Sequence, residues 1–420
     1  MRTTRVLAAA SVVALAATLG ACAPDDGVPT LTWYINPDDG GQARIAAACT
    51  DAADGAYRIE TSLLPRDAAS QREQLARRLA AGDTSLDIMS LDPPFIPELA
   101  EPGFLDEVPG DLQDTEGIVQ GAVDSASWGG ELVTVPFWAN TQLLWYRQSV
   151  VDAAGLDMSQ PVTWDDIIGV AEEQDLRLGV QGALAESLTV WINALVASAG
   201  GEILKNPEAP ADELELGLDS EAGRAAAEII HRIGADGLGG PGLPTADENA
   251  NMNLFQGEQG SFMVNWPFVW PAMTGADPAI ADDLGWAVYP RVDADEPAAP
   301  PVGGINLGVG AFSKNPDLAW QAVECIVQPE NQSEYFVTDG NPPSNAAAYD
   351  DPRVQEEFPM ADTIRESLDL GVPRPQTPYY NEISIGLQRT WHPPAAVDPD
   401  TTPRTSSEFI LAVLRGERLL

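Results

Sequence analysis

An α/β fold is expected, with helices on both faces of a largely parallel sheet and with two domains, and three observations carry this. The first is the order of elements after Leu31. "LTWYI" alternates and is rich in β-formers, "GQARIAAACTDAADG" is alanine-rich and closes on Gly55 as helices often do, and "YRIETSLL" alternates again. "SQREQLARRLAAG" then opens with Ser70 and Glu73 at capping-box spacing and stops at Gly82, and "LDIMSLD" supplies a third strand. A β-α-β-α-β order implies right-handed crossovers and a doubly wound sheet. The second observation is length: a mature chain of about 400 residues exceeds what one hydrophobic core usually serves. The third is a second unit beginning near "VTVPFWANTQLLWYRQSVVDAAGLD", where a strand crosses into new helices.

Those helices are read at "TWDDIIGVAEEQ", capped by Thr163 with Asp166 three residues on, at "SLTVWINALVASAGG" and at "SEAGRAAAEIIHRIGADG". "NMNLFQGEQG", the aromatic stretch "MVNWPFVW", the strand "LGWAVYP" and the proline-rich "DADEPAAPP" follow. "GGINLGVGAFSKNPDLAWQAVECIV" reads as strand, cap and helix, with Pro316 near the first helical position. "GLGGPG", Gly237 to Gly242, matches GxGxxG but follows a helix and holds a proline, so it is read as a loop.

Residues 1–21 form an export signal: two arginines, then an apolar run too short to cross about 30 Å of hydrocarbon. "LGAC", ending at Cys22, resembles the bacterial lipobox, which makes Cys22 the lipidated first residue of the mature protein and 22–30 a polar tether. Cys49 and Cys325 remain, both in helical segments. An oxidising compartment allows a disulfide between them; two buried free thiols are the alternative.

The formal charge is -42, with Lys205 and Lys314 the only lysines. Nucleic acid is a poor partner for such a surface, and anionic lipid cannot anchor it. A neutral ligand is favoured, or a cationic one if carboxylates line the site. The sequence has no HExxH, GxSxG or CxxC, and its only histidines are His231, in a helix, and His392, in a loop. No catalytic residue, metal or cofactor is therefore expected. A secreted glycosidase with paired carboxylates stays open as a rival, although 64 acidic residues make any such pair uninformative. A structural surface lipoprotein is a second rival.

In doubly wound sheets ligands sit beyond the carboxyl ends of the strands, here "NPDDGG" and "DPP". This puts Asn36 and Asp92 at the ligand edge, while Asp38 and Asp39 are better read as helix caps. In "MVNWPFVW", Trp266, Phe268 and Trp270 stand at every second position, as in a core strand, but Pro267 argues against a central strand.

"LLWYRQSVVDAAGLD", "PVTWDDI", "FQGEQGSFMVNWPFVW" and "GVGAFSKNPDLAWQAVECIV" follow in the order and spacing of bacterial extracellular solute-binding proteins of carbohydrate ABC importers, which the whole mature chain resembles. More narrowly, "QREQLARRLAAGDTSLDIMSLD" and "RPQTPYYNEISIGLQRTWHPP" resemble trehalose-binding lipoproteins of mycobacterial importers. The resemblance implies a periplasmic-binding-protein-like fold, two doubly wound lobes joined by a three-crossing hinge. Residues 31–139 with 303–328 would form one lobe, and 140–302 with 329–420 the other. Cys49 and Cys325 then share a lobe, which favours their pairing. Relatives carry a glycine and, two residues on, a sugar-stacking tryptophan where this chain reads Trp266, Pro267, Phe268; Trp266 is expected to take over as the platform. By resemblance and loop position, the substrate-binding residues expected are Asn36, Gln71, Asp92, Asn140, Glu248, Trp266 and Arg374. For Gln71 a solvated helix position stays open, for Arg374 a surface ion pair, and for Glu248 a helix-dipole role. The implied function is capture of a disaccharide, trehalose foremost, by a lipid-anchored monomer outside the cytoplasm, which hands it to ABC permease subunits in the membrane.

Overall fold

The computed structural model of the chain describes residues 27–276 and 278–420; the segment expected to be an export signal, and Cys22, lie outside them. The strand Thr30–Ile35 pairs in parallel with Arg58–Leu63 on one side and Ile88–Leu91 on the other. Side chains alternate across a strand, and the partition here is clean. Trp33 and Ile35 enter one core cluster with Ile45 and Cys49 of the helix Gly41–Ala52. Tyr34 enters the opposite cluster with Leu75 and Leu79 of the helix Ala68–Ala80. Successive helices thus cover opposite faces of the sheet, as the doubly wound reading requires.

The expectation of a parallel sheet holds for these three strands and then meets a correction. Pro301–Val309, returning from the far end of the chain, runs antiparallel to Ile88–Leu91 and to Val135–Thr141. A strand that re-enters from elsewhere makes no βαβ crossover, so nothing forces it to be parallel. Val372–Pro373 closes that edge, in parallel with Pro301–Val309. The second sheet, ordered Leu284–Ala287, Leu143–Arg147, Gly260–Asn265, Arg177–Gly179, is antiparallel except for its last pair. It too has two packed faces: Leu144, Tyr146 and Val264 belong to one cluster and Leu143, Trp145 and Met263 to another. Only Gln142 separates Val135–Thr141 of the first sheet from Leu143–Arg147 of the second.

A second correction concerns a helix start. Ser70 is not the cap of its helix: Asp67 is, and its Oδ1 accepts both the Ser70 N–H and hydroxyl at 2.8 Å. A carboxylate has more acceptor capacity than a hydroxyl, so it takes the capping role three residues earlier. Glu73 instead pairs with Arg77 one turn on. The Thr163–Asp166 capping box and the position of Pro316 at the start of Pro316–Ile326 are as read. "GLGGPG" follows the helix Glu221–Ala235 with no strand before it. His231 and His392 contact backbone carbonyls of Val397 and Pro244.

Cys49 and Cys325 are bonded to each other, with Cα atoms 5.9 Å apart, tying Gly41–Ala52 to Pro316–Ile326 on one face of the first sheet. The helix Pro329–Asp339 packs on that same face, where Tyr335 stacks on Phe137. A cross-link spanning 276 residues restricts the unfolded chain strongly, on the order of 5 kcal/mol in the chain-entropy account. Replacing both cysteines by alanine is expected to lower the unfolding free energy by about 2–5 kcal/mol, read as a lower denaturant midpoint. Equilibrium unfolding with an unchanged midpoint would contradict this.

Candidate functional site

The carboxyl ends of Thr30–Ile35 and Ile88–Leu91 open onto a cavity of about 350 Å³. Its far wall comes from the second sheet's unit: the start of the helix Glu186–Ser198, the start of Glu248–Gln256, and Trp266 just past Gly260–Asn265. All seven residues singled out in the sequence, Asn36, Gln71, Asp92, Asn140, Glu248, Trp266 and Arg374, line it. Six of the lining residues were missed by that reading and bear on its chemistry: Arg66, Trp138, Glu186, Ser187, Tyr335 and Asn341.

Arg374 is no surface pair. Only 6 % of its side chain is exposed, and its guanidinium donates from Nη2 to Asp92 Oδ1 at 2.6 Å and from Nη1 to Glu186 Oε1 at 2.7 Å. Burial works against its charge, but Asp92, Tyr380 and Glu186 outweigh it and hold the guanidinium well above its ordinary range. Glu186 is itself fixed, accepting from the hydroxyls of Tyr380 and Ser384 on the helix Tyr380–Trp391. Burial raises the Tyr380 phenol, with Glu186 adding to it, so the phenol stays a donor.

Gln71 is likewise buried rather than solvated, at 6 % exposure. Its Oε1 accepts from Asn36 Nδ2 at 2.9 Å and its Nε2 donates to the Pro65 carbonyl. Among the described residues this leaves Asn36 Oδ1 buried without a partner; Trp138 Nε1 and Ser187 Oγ are in the same condition. Gly40, not Asp38 or Asp39, is the N-cap of the helix, although Asp38 accepts from the backbone N–H groups of Gly40 and Gln42 and so serves its first turn; the Asp39 N–H instead donates to Asp339.

The aromatic stretch resolves by local structure. The strand ends at Asn265, and Val269 already begins the helix Val269–Ala276, so the alternate spacing does not make one face. Trp266 lines the cavity, whereas Phe268 and Trp270 pack on a core cluster, with the Trp270 indole N–H donating to the Glu357 carbonyl. Fully buried Asn265 sets the position of two site residues: its Oδ1 accepts from Trp266 N and its Nδ2 donates to the Glu248 carbonyl. Glycine is needed at 304, where φ is +117° and a Cβ would stand 2.2 Å from the Trp138 carbonyl; a Cβ on Gly303 would stand 3.3 Å from the Trp266 ring, which would have to shift slightly.

Some of what was missed was legible. Trp138 shares strand parity with Asn140, and Arg66 follows the second strand's carboxyl end, by the same rule that found Asn36 and Asp92. Glu186 gave no signal, being one helix-starting acid among 64 acidic residues.

Two packed α/β sheets with a polar and aromatic cleft between their units define a periplasmic-binding-protein-like molecule, and structural comparison agrees. A maltose-bound T. maritima MalE3 superposes with a TM-score of 0.77 at 24% identity, covering 93% of this chain and 100% of that one. An Agrobacterium radiobacter solute-binding protein in complex with ribitol gives 0.75 at 18%, covering 94% and 100%. The chain belongs to the bacterial extracellular solute-binding proteins, whose family pattern matches residues 58–333. It is therefore a binding protein acting outside the cytoplasm, not an enzyme. Among sequence relatives, a probable ABC transporter-binding protein of Deinococcus radiodurans is 24% identical over 76% of this chain and 78% of its own length. The diacetylchitobiose binding protein DasA of Streptomyces coelicolor is 24% identical over 62% and 61%.

Glu248 carries a pH prediction. Burial, reinforced by Asp247, raises its carboxyl above 4.5, against hydrogen bonds from its own backbone N–H and Trp266. A raised carboxyl binds its proton better folded than unfolded, so stability falls as pH rises from about 4.5 through the folded value. Glu248→Gln should abolish that part of the pH dependence in thermal unfolding between pH 4 and 7, scanned at roughly half-unit steps. A pH profile identical to that of the parent chain would refute it.

Proposed function

We propose that the cleft captures a disaccharide, trehalose foremost, and that the loaded protein delivers it to an ABC permease. The observation that carries this reading is the trio of buried polar atoms without partners, Asn36 Oδ1, Trp138 Nε1 and Ser187 Oγ, in one cavity with Trp266 and Arg374. Hydroxyl groups can complete such atoms, and indole faces cover the apolar C–H surface of a pyranose. The cavity lies within the roughly 300–1,000 Å³ usual for small-molecule sites. The two arginines that line it stand against three carboxylates, Asp92, Glu186 and Glu248, a balance that suits an uncharged ligand. The maltose of one structural neighbour and the diacetylchitobiose of one relative support a saccharide; the ribitol of another neighbour makes a polyol the alternative outcome. Closure would bring together lobes divided near residues 139, 303 and 328, with Pro329–Asp339 riding on the first. The protein acts as a monomer held to the outer face of the cell membrane by the lipid on Cys22.

Calorimetry of the full chain with trehalose, maltose, sucrose, glucose and ribitol tests the ligand. Trehalose should bind, and Asp92→Ala and Arg374→Ala should each weaken it about tenfold or more, the loss of one charge-assisted hydrogen bond. Trp266→Ala should do the same by removing a stacking face, whereas Phe268→Ala should lower stability and leave affinity in place. Wild-type affinity in folded Trp266→Ala, with binding lost in Phe268→Ala, would overturn the assignment of the platform. Preference for ribitol over every saccharide would overturn the ligand class.

The anchor has its own test. Cys22→Ala should move the protein from the membrane fraction to the soluble one without unfolding it. Wild-type chain released to the medium without an acyl mass would contradict a lipid anchor.

A further inference from the structure

A second cavity, of about 300 Å³, lies on the far unit and shares no lining residue with the cleft. It is bounded by the edge strand Leu284–Ala287 and the turn after it, by the loop 158–162, and by the helix Ala361–Leu370. Among the described residues Leu284–Ala287 pairs on one side only, with Leu143–Arg147, and its Trp286 and Ala287 line this space.

Four side chains give the cavity its chemistry. Tyr289 is 1 % exposed, its ring set edge-on to Trp164, and among the described residues its hydroxyl has no partner. Burial raises the phenol, so the group remains neutral and able both to donate and to accept. Arg291 is held by its backbone, with N–H donating to the Val162 carbonyl and C=O accepting from Trp164 N–H, both at 2.9 Å. Its Nη1 donates to the Ala294 carbonyl, and its Nε is buried without a partner. Glu366 lines the same cavity from the helix, yet neither it nor Arg291 forms an ion pair among the described residues. Trp286, half-exposed and propped edge-on by Trp270, supplies an aromatic face.

An unpaired guanidinium and an unpaired carboxylate in one small cavity suit a ligand whose groups donate and accept alike, and hydroxyls do both. A free anion is disfavoured by Glu366 and a net charge of -42, and a free cation by Arg291. The buried phenol and Nε need completing by a polar group, while the Trp286 face needs an apolar one. We propose that this cavity is a second saccharide site, taking a neutral mono- or disaccharide independently of the cleft.

The test is calorimetric titration of the full chain with glucose, maltose and trehalose into the millimolar range, in parallel with Tyr289→Phe, Glu366→Gln and Trp266→Ala variants. Tyr289→Phe keeps the packing on Trp164 and removes only the hydroxyl, and Glu366 is exposed, so both variants should fold. The expected result is a weaker binding event that loses about tenfold affinity in Tyr289→Phe and in Glu366→Gln, and that persists in Trp266→Ala. The proposal is overturned if no tested sugar gives an event sensitive to Tyr289→Phe or Glu366→Gln, including the case of solvent alone in the cavity. It is also overturned if every event disappears in Trp266→Ala. Absence of any cleft event in the parent chain, with the weaker event present, would refute the cleft assignment and leave this one standing.

Discussion

The guanidinium of Arg374 joins three parts of the chain that lie far apart in sequence. Asp92 follows the strand Ile88–Leu91 of the first sheet, and Glu186 starts a helix whose Leu188, Trp191 and Ile192 belong to the core of the other unit. Arg374 itself follows the edge strand Val372–Pro373. Burying three charges gains little stability over well-packed apolar side chains, but removing one member leaves the others uncompensated, at about 3–5 kcal/mol. What the network supplies is position: the carboxylates facing the cavity are held where a guanidinium and two hydroxyls place them. A site that grips hydroxyls depends on such pre-set acceptors, since groups ordered only on binding would spend affinity on their own immobilisation.

The rest of the cleft follows the same logic with neutral groups. Asn36 and Gln71 fix each other, and Asn265 fixes Trp266 and Glu248 together from behind the site. Gly303 and Gly304 let the strand Pro301–Val309 pass close to the Trp266 ring and the Trp138 backbone. Asn36, Trp138 and Ser187, which carry atoms left without partners among the described residues, line the cavity.

The doubly wound part of the first sheet could be read from alternation because Thr30–Ile35 and Arg58–Leu63 are each followed closely by a covering helix. The second sheet was harder. Its strands Leu143–Arg147 and Gly260–Asn265 pair directly across more than a hundred residues of intervening chain, and no local pattern records that partnership. Site residues at strand ends were found because topology dictates where ligands lie; Trp138 and Arg66 obey the same rule and could have been found with them. Glu186 could not, because its role is defined by Arg374, 188 residues away. In "MVNWPFVW" a period of two suggested one shared face, but the chain turns into a helix after Pro267 and sends Trp266 to the cavity and its neighbours to the core.

A crystal structure of the chain grown with trehalose tests the central claim most directly. The account predicts a saccharide in the cleft with one ring against Trp266, hydroxyls on Asp92 and Asn36, and Arg374 still bonded to both Asp92 and Glu186. A sugar bound elsewhere, or a cleft in which Arg374 has left Glu186 to reach the ligand, would contradict it.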